Sequence, residues 1–88
     1  MPFLDFSVRF KKSFRKLSPG IQRKTEKALR LISDNPRHPS LRTKPVQGVQ
    51  GIYEARVDRN YRMTYERLAD DTLLMRVVGE HDKTLKNP

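Results

Sequence analysis

From Gly51 to Asp82 the chain reads GIYEARVDRNYRMTYERLADDTLLMRVVGEHD, and this stretch limits the possible folds more than any other. Apolar and polar residues alternate through Tyr53–Val57 and again through Tyr61–Tyr65. Period two marks strands with one buried face. The buried set is then Tyr53, Ala55, Val57, Tyr61, Met63 and Tyr65, and the outward set Glu54, Arg56, Arg62 and Thr64. A three-residue loop, Asp58-Arg59-Asn60, keeps both apolar sets on one side, with Asn60 suited to the left-handed conformation. That register sets Arg56 opposite Arg62. Like charges across a ladder destabilise it, so an anion is expected nearby. Glu54, diagonal to Arg62, supplies part of it, and a phosphate can supply the rest.

A third strand follows at Thr72–Gly79, TLLMRVVG, apolar on both parities. Leu73, Met75 and Val77 form its cleaner buried set, which aims His81 at the core side. A bulge at Gly79 would reverse the parity and turn His81 towards Arg56 and Arg62.

The rest of the chain supplies a cover for this sheet. Pro2–Val8 alternates and reads as a strand burying Leu4, Phe6 and Val8, with Ser7 placed to cap the next segment. In Arg9–Leu17 the residues Phe10, Phe14 and Leu17 recur at helical spacing. Ser18-Pro19 then restarts the chain as N-cap and first helical residue. A second helix buries Ile21, Thr25, Ala28, Leu29 and Ile32 and stops at Asp34-Asn35 before Pro36. So short a link makes the two helices an antiparallel hairpin. Pro36–Gly51 has three prolines, two glycines and no period, and reads as a long loop tucked onto the core by Leu41 and Val46. Loops beyond about 12 residues in compact domains are often functional. The tail from Asp82 has Leu85 as its only apolar anchor.

With 88 residues and no cysteine, the chain fits one domain, residues 1–88, with a small core and no disulfide framework. There is no secretion signal and no membrane-length segment, which makes the cytoplasm the expected location. The net charge of +9 is unevenly placed. Residues 1–51 carry twelve Lys and Arg against three acids, and residues 52–88 carry seven of each sign. A positive helical half favours a polyanionic partner.

The chemistry open to these residues is narrow. Two histidines and scattered carboxylates do not make a metal site, and Gly48 and Gly51 do not open a helix as a nucleotide-binding loop would. Glu54, Arg56, Arg62 and His81 do suit RNA cleavage without metal or cofactor. There a ribose 2′-OH attacks the adjacent phosphate, and the site needs a base, an acid and cations. Histidine suits the acid, and arginine the phosphate. The same charged residues also suit a plain cross-strand ladder in water.

Lys44-Pro45-Val46-Gln47-Gly48, Gly51-Ile52-Tyr53-Glu54-Ala55-Arg56-Val57, Asn60-Tyr61-Arg62 and Val78-Gly79-Glu80-His81-Asp82 together resemble the RelE/ParE superfamily of bacterial toxin–antitoxin toxins. The likeness is to its YafQ-like and cytotoxin branches, and it covers nearly the whole chain. It implies an α+β fold, β-α-α-β-β-β, with a helical hairpin on one face of a twisted, mainly antiparallel sheet. It implies ribosome-dependent mRNA cleavage and a cognate antitoxin, so the expected partners are that antitoxin, the ribosome and mRNA. By resemblance His81 is the general acid and Arg62 the phosphate-stabilising arginine. Arg56 and Lys44 stand where YafQ has histidines, which leaves Glu54 as the nearby candidate base. Lys44, Arg42, Asn60 and Arg59 are the expected RNA contacts. The resemblance also admits a gyrase-directed, ParE-like toxin, or a catalytically weak relative that only binds an antitoxin.

Overall fold

The computed structural model describes all 88 residues. Strand β1 (Phe3–Phe6) leads through Ser7 into α1 (Val8–Arg15), and α2 (Pro19–Asp34) follows at once. A single 3-10 turn at Pro39–Leu41 and the two-residue strand β2 (Lys44–Pro45) break up the long loop. Then come β3 (Ile52–Arg56), β4 (Tyr61–Leu68), β5 (Thr72–Glu80) and a C-terminal helix α3 (His81–Lys86). The sheet order is β1-β5-β4-β3-β2, antiparallel except for the parallel β1–β5 pair. This is the expected α+β architecture, with β2 and α3 added.

The helix boundaries follow from the capping residues. Ser7 Oγ accepts from the Phe10 amide at 3.0 Å, and Ser18 Oγ from the Ile21 amide at 3.4 Å, with Pro19 at the first helical position. Each satisfies an amide that the helix itself cannot. Ser7 Oγ also donates to the Arg76 carbonyl at 2.8 Å, and Ser13 Oγ accepts from the Val78 amide at 3.1 Å. Helix α1 therefore covers the edge of β5 beyond the point where β1 stops. On the helical side, Phe10, Ala28, Ile32, Leu41, Ala55, Met63, Tyr65, Leu73, Met75 and Val78 form the core. Tyr65 is sealed within it. Burial pushes its phenol pKa up from 10.0, and Arg67 and Thr43 do not outweigh that effect.

Several sequence expectations are corrected. Phe6 and Val8 are exposed: Phe6 lies on an edge strand with its ring against Phe10, and Val8 opens α1, while Leu4 packs against the core. Tyr53, Val57 and Tyr61 are half-buried at the periphery. Glu54 and Thr64, expected outside, are 5% and 0% exposed. Strands β2 and β4 flank Glu54, while Thr64 Oγ1 meets the Pro88 carbonyl beyond α3. The bulge falls at Arg76, not Gly79: Tyr65 faces Met75 and Thr64 faces Val77, leaving Arg76 unpaired between them. Val77 thus turns away from the core and Val78 takes its place.

The β3–β4 hairpin has the expected register, with Arg56 opposite Arg62, but Asn60 does not adopt a left-handed backbone. Asp58 shapes the turn instead. Its Oδ1 accepts from the Asn60 and Tyr61 amides at 2.9 and 3.0 Å, and its Oδ2 meets Lys24 Nζ at 3.2 Å. Partial burial raises the Asp58 pKa, but those amides and Lys24 outweigh it and the net shift is below 3.8. Asp58→Ala is expected to cost about 1–2 kcal/mol at neutral pH. A depressed pKa contributes stability above about pH 4 that is lost as pH falls through the lowered value. In urea titrations the gap between wild type and variant should therefore narrow in acid.

Candidate functional site

The free end of the hairpin and the start of α3 enclose an open cavity of about 510 Å³ lined by Arg59, Asn60, Tyr61, Arg62, Glu80, His81 and Asp82. Pairing places these residues together. Tyr61 and Arg62 stand opposite Glu80 and Gly79, and the His81 amide donates to the Asn60 carbonyl at 2.8 Å as the chain leaves β5 for α3. The bulge at Arg76 puts Gly79 on the face of Arg62. His81 follows two residues later and opens on the same cavity. His81 Nδ1 lies 3.0 Å from Asp82 Oδ1. That contact favours the proton on Nδ1 in the neutral ring and leaves Nε2 as the nitrogen without a protein partner.

Arg62 has two employments. Its Nη1 donates to the Asp58, Tyr61 and Arg59 carbonyls at 2.6, 2.9 and 3.4 Å, and its Nε lies 3.7 Å from Glu54 Oε1. The guanidinium clamps the turn while forming one wall of the cavity. Glu54 supplies the counter-charge anticipated from the register.

Of the eight residues singled out from the sequence, four meet here: His81, Arg62, Arg59 and Asn60. The others do not. Glu54 is buried behind Arg62, away from His81's cavity. Arg56, although paired with Arg62 along the backbone, lines a different cavity against α2 with Lys24 and Lys27. Arg62, not Arg56, holds the Glu54 carboxylate, at 3.7 Å. Lys44 is exposed on β2 opposite Glu54, and Arg42 closes the 3-10 turn in a left-handed conformation at φ 46°. Sequence reasoning missed Tyr61, Glu80 and Asp82 as cavity residues. Their signal was adjacency to the hairpin turn and to His81.

No group of three His, Cys, Asp or Glu side chains is arranged to hold a metal ion, and no helix is long and apolar enough to cross a membrane. The cavity can bind an anion through Arg59 and Arg62 and offer a proton from His81. Its carboxylates, Glu80 and Asp82, are the groups able to accept one.

No family model and no curated protein matches the chain. Among solved structures it is similar to a chain of the intact E. coli RelBE toxin–antitoxin complex, with a TM-score of 0.70 and 24% identity over 92% of this chain and 98% of that one. It is similar to YafQ from E. coli BL21(DE3), with a TM-score of 0.75 and 19% identity over 94% and 97%. It is also similar to a chain of the RelB–RelE antitoxin–toxin complex of Methanococcus jannaschii, with a TM-score of 0.73 and 20% identity over 96% and 99%. The fold is that of RelE-like toxins.

Proposed function

We propose that this chain, carrying the RelE-like fold, is the toxin of a type II toxin–antitoxin pair and cleaves mRNA on the ribosome. The observation that carries the reading is the convergence of His81, Arg62 and Arg59 on one open cavity at the hairpin end. In the reaction, a ribose 2′-OH attacks the neighbouring phosphorus as the bond to the 5′-oxygen breaks. His81, in its doubly protonated form, gives the Nε2 proton to that oxygen, while Arg59 and Arg62 oppose the charge growing on the phosphorane oxygens. Glu80, which forms no ion pair, replaces Glu54 as the carboxylate nearest to taking the 2′-OH proton. An antitoxin partner is supported by the exposed apolar residues Phe3, Phe6 and Val8 beside the basic α1. Exposed apolar side chains rimmed by charge suit a protein partner.

The test is induced expression with codon-resolved mapping of mRNA 5′ ends. Wild type should give new ends within translated codons, and His81→Ala should lower the cleavage rate by about 10²–10⁴-fold. Equal cleavage by the two proteins would remove His81 from the chemistry. A catalytically weak, antitoxin-binding protein is the second reading, favoured by the burial of Glu54 and the absence of Arg56 from the cavity. It gives no new ends in either case.

A further inference from the structure

A second cavity, about 400 Å³, lies between α1, the end of β5 and α3, and shares the residues Tyr61 and Glu80 with the first. Its cations come from three places in the chain: Arg9 and Lys16 from the two ends of α1, and Lys83 from α3. None of the three is in an ion pair, and Glu80 is the single acid facing them. The floor is partly apolar, with Leu17, Val77 and Val78, and half-buried Tyr61 forms the wall towards His81. The elements are tied in place. Arg9 Nη2 donates to the Asn87 carbonyl past α3, and Ser13 Oγ accepts from the Val78 amide at 3.1 Å.

We infer that this cavity binds a backbone phosphate of the same RNA strand, flanking the phosphate held at His81, with Tyr61 as the stacking surface between them. The inference rests on the reading of this chain as acting on RNA. Three cations against one carboxylate favour an anion. An aromatic ring between an arginine-bearing hollow and a cationic one is the arrangement by which single strands are held without regard to sequence: phosphates on the positive groups, a base on the ring. The two hollows adjoin, so one strand passing over Tyr61 enters both.

The test uses the full chain and a short RNA whose riboses are 2′-O-methylated, so that the attacking hydroxyl is blocked and binding is read apart from cleavage. Affinity is followed by fluorescence anisotropy over a range of salt. Removing one cation from a phosphate of a single strand lowers the log–log salt slope by about 0.7. Lys16→Gln and Lys83→Gln should each show that drop, and Lys12→Gln, on α1 but outside the cavity, should not. Tyr61→Leu should weaken binding about tenfold or more with the slope unchanged. The pattern should persist in a His81→Ala background, so loss of cleavage alone leaves this inference standing. Equal slopes for the three lysine variants would overturn it. So would dependence on Lys16 and Lys83 seen with polyglutamate but not with RNA, which would assign the cavity to an acidic protein segment.

Discussion

Arg62→Ala is expected to destabilise the protein by about 2–3 kcal/mol as well as to weaken any phosphate chemistry. The stability loss has two sources. The Nη1 bonds to the Asp58 and Tyr61 carbonyls at 2.6 and 2.9 Å disappear, and the hairpin turn loses its clamp. In addition Glu54, 5% exposed, is left without the guanidinium 3.7 Å away. A carboxylate stranded in low dielectric costs more than a broken surface pair, because water cannot solvate it fully. The two sources separate in a cycle with Glu54→Gln. In that background the stranded charge is gone, and Arg62→Ala should cost only about 1 kcal/mol, the clamp alone. Urea denaturation of the four proteins measures this. Equal costs in both backgrounds would mean that the Glu54–Arg62 contact carries no energy. Arg62→Lys is a separate comparison: its single ammonium cannot span the turn carbonyls and Glu54 together, so it should recover only part of the loss.

Such a residue explains why the sheet was legible from the sequence while its site was only half so. The alternation in Tyr53–Val57 and Tyr61–Tyr65 reports side-chain periodicity directly, and the opposed arginines followed from it. Alternation does not report what lies over the polar face. Glu54 and Thr64 are buried because neighbouring strands and the C-terminal residues cover them, and that cover is tertiary. The absence of Arg56 from the cavity was hidden for a related reason: register fixes Cα partners, not which residues a cavity at the strand end gathers. In Thr72–Gly79 both parities are apolar, so no pattern could place the extra residue at Arg76. The helical half was read closely because its boundaries rest on local capping, Ser7, Ser18 and Pro19, which needs no distant partner. Helix α3 was missed because it rests on Thr84, a polar side chain buried against a glycine, and such a contact has no period.

That glycine is the second place where a small change should have a large effect. A Cβ added at Gly79 would stand 2.8 Å from Thr84 Oγ1, closer than packed atoms approach. Thr84 is 4% exposed and β-branched, so its side chain has little freedom to rotate away. Gly79→Ala must therefore push α3 off the sheet, at about 1–3 kcal/mol. His81 is the first residue of α3 and takes its position from that helix and from the Asn60 carbonyl. A displacement of about 1 Å at a reacting group can lower a rate by about 10²-fold, so cleavage should fall further than stability explains. Thr84→Ala removes the oxygen that the new methyl would meet. The double variant should thus regain most of the stability and return the His81 ring resonances to their wild-type NMR positions. If Gly79→Ala costs the same with and without Thr84 Oγ1, the contact between β5 and α3 does not position His81. Recovery in the double variant would trace the location of this histidine to a single close approach between a strand and the helix laid over it.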